Sequence, residues 1–198
     1  MKCSAAIVIF LALLTLPCSA ADGKGGAESQ ESDNAAKAVR AIRRAADNGN
    51  AEALRKLGFR YYHGDGVAQD SAKAVALFEK AAAAGDTESA SNLGKMYEHG
   101  MSVMQDDGRA AEWYRRAAEM GEPQSQFTLS IMYYKGQGLT QDRVEAAKWW
   151  NIAIARGGNQ AERIRGMVES AEAKLTPEEI AEGKRRSAEW LKAHRAVN

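Results

Sequence analysis

Residues 93–121 read LGKMYEHGMSVMQDDGRAAEWYRRAAEMG, and the same pattern stands 36 residues before and 36 residues after. Residues 57–85 read LGFRYYHGDGVAQDSAKAVALFEKAAAAG, and residues 129–157 read LSIMYYKGQGLTQDRVEAAKWWNIAIARG. The three blocks align without a gap. Leu57, Leu93 and Leu129 coincide, as do Tyr61, Tyr97 and Tyr133; Gly64, Gly100 and Gly136; and Asp70, Asp106 and Asp142. Ala74, Ala110 and Ala146 follow, then Ala81, Ala117 and Ala153, and Gly85, Gly121 and Gly157 close the blocks. A period of this length marks an architecture in which one supersecondary unit recurs.

Each unit reads as two helices. Leu54, Leu57, Gly58 and Tyr61 fall at i, i+3, i+4 and i+7, one face of a helix. Gly58 and Gly94 put small residues on that face, where another helix can come close; block three has Ser130 there. Gly64-Asp65-Gly66 ends the first helix, because glycine accepts the left-handed conformation that follows a C-terminus. Asp70 and its equivalents stand at the N-cap of the second helix. There Ala74, Leu77, Phe78 and Ala81 repeat the apolar stripe. A lone pair of this kind cannot bury its apolar face. Stacked pairs bury a continuous core, so the expected fold is all-α, a right-handed α/α solenoid of helix pairs.

The pattern extends outward in both directions. Residues 37–49 (KAVRAIRRAADNG) lie 36 positions before 73–85 and read as a half-repeat. Full repeats then occupy 50–85, 86–121 and 122–157. Beyond them Arg165 stands where Leu is expected and Glu169 where Tyr is expected, so residues 158–198 read as a cap. Two helices are expected there, about 160–174 and 177–194. Thr176-Pro177-Glu178-Glu179 is a strong helix start, with a Thr cap, Pro at the first position and Glu at the third.

The first residues carry a different message. Met1-Lys2 is followed by the apolar run AAIVIFLALLTL at 5–16, then Pro17-Cys18-Ser19-Ala20-Ala21. A charged start, an apolar centre and small residues make a secretory signal peptide. The run is shorter than the roughly 20 residues of a membrane span. Residues 1–20 are assigned to the signal, with cleavage after Ala20 or Ala21. The expected destination is the periplasm, with no stable membrane insertion after cleavage. Residues 21–35, rich in Gly, Ser and acids, read as a flexible linker before a repeat domain over 36–198.

Charge and composition narrow the function. The 198 residues hold 27 Lys+Arg against 26 Asp+Glu, a net charge of +1. A nucleic-acid binder would carry a basic excess. Cys3 and Cys18 both fall in the signal, so the mature chain would have neither disulfide nor thiol chemistry. His63 and His99 are equivalent, but block three has Lys135 and no third ligand repeats, so no metal or cofactor is expected. Gly64-Asp65-Gly66 and Gly136-Gln137-Gly138 lack the strand-loop-helix setting and the Lys-Ser/Thr of a phosphate loop. No Ser-x-x-Lys or Gly-x-Ser-x-Gly nucleophile motif appears. The reading is not an enzyme; a hydrolase stays as the weakest alternative.

The blocks resemble the Sel-1-like repeat family, relatives of the tetratricopeptide repeats. Block two carries the family pattern as Leu93-Gly94, Tyr97, Gly100, Val103, Asp106, Ala110, Trp113-Tyr114, Ala117-Ala118 and Gly121. Ser102 and Ser130 depart from it. The resemblance implies a protein-interaction scaffold. Exported bacterial members serve in envelope signalling, surface polysaccharide systems and pathogen–host contact, and as immunity proteins against toxins delivered into the periplasm. Two roles are therefore open: an adaptor or regulator of an envelope complex, or a toxin-neutralising immunity protein. The partner is a protein in either case, and nothing in the sequence demands more than a monomer.

The motif residues, including Tyr61, Tyr97, Trp113, Tyr114, Trp149 and Trp150, read as core. The other face of the first helices is free to bind. In related solenoids that face lines the concave surface. Here it carries Arg55, Phe59 and Tyr62, then Lys95 and Glu98, then Phe127, Ile131 and Tyr134. Aromatic anchors beside charged groups are the composition of interface hot spots.

Overall fold

A computed structural model describes residues 25–194. The signal assignment therefore lies outside the described residues. The helices in chain order are α1 (Gly25–Asp47), α2 (Ala51–His63), α3 (Ser71–Ala83), α4 (Thr87–His99), α5 (Asp107–Glu119), α6 (Pro123–Lys135), α7 (Arg143–Arg156), α8 (Ala161–Glu172) and α9 (Pro177–Ala193). Up to α8 each helix packs on the next, and α2–α3, α4–α5 and α6–α7 form the three repeat pairs. The fold is the all-α solenoid that the period implies.

Local chemistry sets each boundary. Asp70, Asp106 and Asp142 cap α3, α5 and α7 by accepting from Lys73 N (3.0 Å), Arg109 N (2.9 Å) and Glu145 N (2.9 Å). The first helices have caps of their own: Asn50, Asp86 and Glu122. Gly64, Gly100 and Gly136 end them in the left-handed conformation. Each inter-helix loop is tied back in the same way. Asp70 N donates to Tyr61 O (2.9 Å), Asp106 N to Tyr97 O (2.9 Å) and Asp142 N to Tyr133 O (3.0 Å).

Small residues let the helices close up. Ala74, Ala81, Ala90, Ala110, Ala117, Ala146 and Ala153 are fully buried. At Gly58 an added Cβ would stand 2.8 Å from the Phe78 ring, and at Gly94 2.7 Å from the Tyr114 ring. These glycines admit the aromatic side chain of the paired second helix, a contact a methyl group would block.

The two ends depart from the simple pattern. Helical backbone begins at Gly25, inside the stretch expected to be a linker. That stretch lacks an apolar period but holds Ala, Glu and Gln, which favour helix once a packed segment follows. At the other end α9 packs along α7 rather than completing a pair with α8. Gly183 makes this possible, since a Cβ there would collide with Ala147. Arg186 reaches Glu145 at 2.9 Å, and Trp190 meets Trp149 edge-on at 5.7 Å. The capping box at Thr176 and Glu179 forms as expected. Leu175 is buried and stands 36 residues after Leu139, so the period runs further into the cap than Arg165 and Glu169 indicate.

Candidate protein-interaction face

The first helices α2, α4 and α6 present two apolar notches on one side of the solenoid. The first, 230 Å³, lies between α2 and α4 and is lined by Phe59, Tyr62, Phe78, Lys95 and Met96, among others. Phe59 meets Phe78 edge-on at 5.0 Å, and Tyr62 meets His63 edge-on at 4.9 Å. The second, 90 Å³, lies between α6 and α8 and is lined by Phe127, Ile131, Tyr134, Trp150, Met167 and Val168, among others. Adding 72 to Phe59, Tyr62, Phe78, Lys95 and Met96 gives Ile131, Tyr134, Trp150, Met167 and Val168. The notches are thus two copies of one site, and α8 stands to α6 as α4 stands to α2.

The copy between them is closed. Tyr114 occupies the position of Phe78 and Trp150, and its hydroxyl donates to Glu98 Oε2 at 2.7 Å. Burial, and then the Glu98 carboxylate, push the Tyr114 hydroxyl well above the usual tyrosine range. It remains a donor at any ordinary pH, and the pair plugs the middle of the face. Lys95 is exposed beside it.

The residues expected to bind are thus placed in three ways. Phe59, Tyr62, Lys95, Ile131 and Tyr134 line the notches, and Glu98 sits between them. Arg55 turns away from the open face. It pairs with Asp86 at 3.1 Å and Glu88 at 2.9 Å, tying repeat 1 to the cap of α4. Phe127 lies at the floor of the second notch: it is 5% exposed and packs with Ala146, Trp150 and Val168. Arg55, Ser91 and Phe127 share one register position, and that position faces the neighbouring repeat. Met96, Met101 and Val168 were missed because a notch between two helices is invisible when each helix is read alone. The 72-residue register was the signal that would have found Val168.

The chemistry available here is apolar contact with an ionic rim. His63 and His99 are both exposed at their helix ends. Among the described residues no three of His, Cys, Asp and Glu stand together as a ligand set. Among the same residues no helix is long and apolar enough to cross a membrane.

Comparison with known proteins agrees with this architecture. A family model described as Sel1 repeat matches residues 51–86, 87–122 and 123–158. A Sel1 repeat protein from Oxalobacter formigenes is similar at 35% identity and a TM-score of 0.60, over 64% of this chain and 96% of that one. A protective antigen of uropathogenic Escherichia coli displaying an SLR fold is similar at 34% identity and a TM-score of 0.64. That alignment covers 78% of this chain and 34% of the antigen. No curated protein gives a significant match. With three consecutive matches over more than half its length, the chain belongs to the Sel1 repeat family, whose proteins generally mediate protein–protein interaction.

Proposed function

We propose that this protein is an exported, non-enzymatic scaffold of the bacterial cell envelope that holds a partner protein on its first-helix face. The observation that carries the reading is the pair of equivalent apolar notches, at Phe59–Tyr62 and at Ile131–Tyr134. Adjacent packed helices are roughly 8–10 Å apart, so two repeats separate the notches by about 20 Å. One partner helix of about 13 residues spans that distance. Aromatic anchors in pockets beside exposed charge supply affinity, and the Tyr114–Glu98 plug between them sets register. The amino-terminal sequence supports export, and periplasmic residence belongs to the same proposal.

The test is capture from a periplasmic fraction, with the chain as bait beside a Phe59→Ala/Tyr62→Ala/Tyr134→Ala variant of unchanged helical circular dichroism. A prey held by the first and lost by the second is expected. Equal capture by both would move the interface off this face. Fractionation checks the location: a shortened chain in the periplasm is expected, and a full-length chain in the cytoplasm would remove the envelope role.

A further inference from the structure

A larger groove lies on a different surface, between α1, α2 and α3. Its volume is 580 Å³, and Ala46, Leu57, Leu77 and Lys80 help to line it. Two repeats later those four positions are Ala118, Leu129, Trp149 and Ile152. They form one buried cluster, and Trp190 and Leu191 of α9 pack against it. The open groove of repeat 1 is therefore the seat that α9 covers in repeat 3. Among the described residues nothing covers it, and Leu77 stands where the other repeats hold Trp113 and Trp149. Leu57 keeps 4% exposure there, against 0% for its equivalents Leu93 and Leu129.

We propose that this groove docks an amphipathic helix of a partner protein that carries an adjacent aromatic–aliphatic pair and an acidic residue four positions before the aromatic. The apolar requirement follows from the seat, which α9 fills with Trp190 and Leu191. The acidic requirement follows from charge. Arg186, four residues before Trp190, pairs with Glu145 at 2.9 Å. The repeat-1 equivalent of Glu145 is Lys73, whose side chain is 63% exposed. Arg43 stands near it, since Arg43 donates to the Tyr61 hydroxyl at 3.1 Å and Lys73 lies over the same ring at 5.5 Å. Lys80 replaces the apolar Ile152 in the lining. Asp70 pairs with Lys73 at 2.8 Å, and Asp47 lines the far end of the groove, so the cations are only partly offset. A second copy's α9 would bring Arg186 against Lys73 and Arg43, whereas a helix with Glu at that position meets both favourably. This surface is independent of the first-helix notches.

The test uses two labelled peptides of residues 177–194, one native and one with Arg186→Glu, titrated into the full chain at low ionic strength and read by fluorescence anisotropy. Groove binding is the part that Leu77→Asn removes, because that variant sets an amide in the apolar lining. The acidic peptide is expected to bind there about fivefold tighter than the native one, the size of a reversed surface charge pair. Lys73→Glu, which installs the residue of repeat 3, is expected to reverse the preference without touching the core. Its reading stands even where Leu77→Asn alters the melting curve. Binding of the acidic peptide that Leu77→Asn leaves intact, or its absence altogether, would overturn the proposal. A groove preference for the native peptide would also overturn it, and would assign the seat to a second copy of this chain.

Discussion

Ser102 has φ +64°, at a loop position where repeats 1 and 3 hold Gly66 (φ +68°) and Gly138 (φ +70°). The left-handed region costs a residue with a Cβ roughly 1 kcal/mol or more. Ser102→Gly removes that strain but adds chain entropy to the unfolded state. The expected net result is a stabilisation of about 0.5 kcal/mol, measured by urea denaturation; a destabilised variant would mean that the hydroxyl holds the loop. At this scale much was legible. Asp70, Asp106 and Asp142 announce themselves as caps because one residue type recurs at one spacing. Asn50, Asp86 and Glu122 do the same work for the first helices and escape notice, because the period preserves an acceptor oxygen there and not a residue. Phe127 is nearly buried, which its helix alone does not reveal, for a related reason. Its neighbours Ile131 and Tyr134 do lie on the open face, but one turn earlier the helix faces the next repeat.

α9 is held to the solenoid by a short charge network as well as by its apolar side. Glu182 accepts from Arg185 at 2.8 Å and from Arg186 at 2.8 Å, and Arg186 reaches on to Glu145. Hydrogen bonds from Arg185, and next from Arg186, hold the Glu182 carboxyl down at about 2, below its usual 4.5. A value lowered on folding contributes stability that is present above 4.5 and disappears as pH falls toward 2. The contribution is small, because the group is solvent-exposed. Melting followed by tryptophan fluorescence between about pH 5 and about pH 2.5 is expected to show a shallower acid loss in Glu182→Gln than in the unaltered chain. Identical slopes would mean that the network adds nothing to docking. The start of α9 was readable from Thr176 and Glu179, while its destination was not. That depends on Gly183 allowing one close crossing with Ala147, a single position with no period behind it. The early start of α1 escaped for the converse reason, since helix propensity leaves no stripe to read.

The whole molecule is a one-dimensional stack, in which each pair is stabilised chiefly by its neighbours. Loss of a contact at one end therefore weakens that end first. Trp190 covers Trp149 and is itself met by Arg156 at 4.8 Å and by the stacked His194 ring at 4.0 Å. Trp190→Ala is expected to cost about 2–3 kcal/mol. Hydrogen exchange should show the loss in α6 and α7, with α2 and α3 keeping their protection. A uniform loss along the chain would mean that the stack unfolds as one cooperative block.

The turn-back of α9 also decides where such a protein can grow. Each internal seam, such as that between Gly121 and Glu122, joins two interchangeable surfaces, so one more unit can be spliced in with both of its sides satisfied. After Gly157 there is no such seam. α9 already lies along α7, and the bare flank of α8 at Gly166 meets no side chain within 4 Å. A unit spliced in at an internal seam therefore leaves α9 on its seat, whereas one spliced in after Gly157 has to displace α9 from α7, as a zip takes new teeth more easily within its row than beneath its slider.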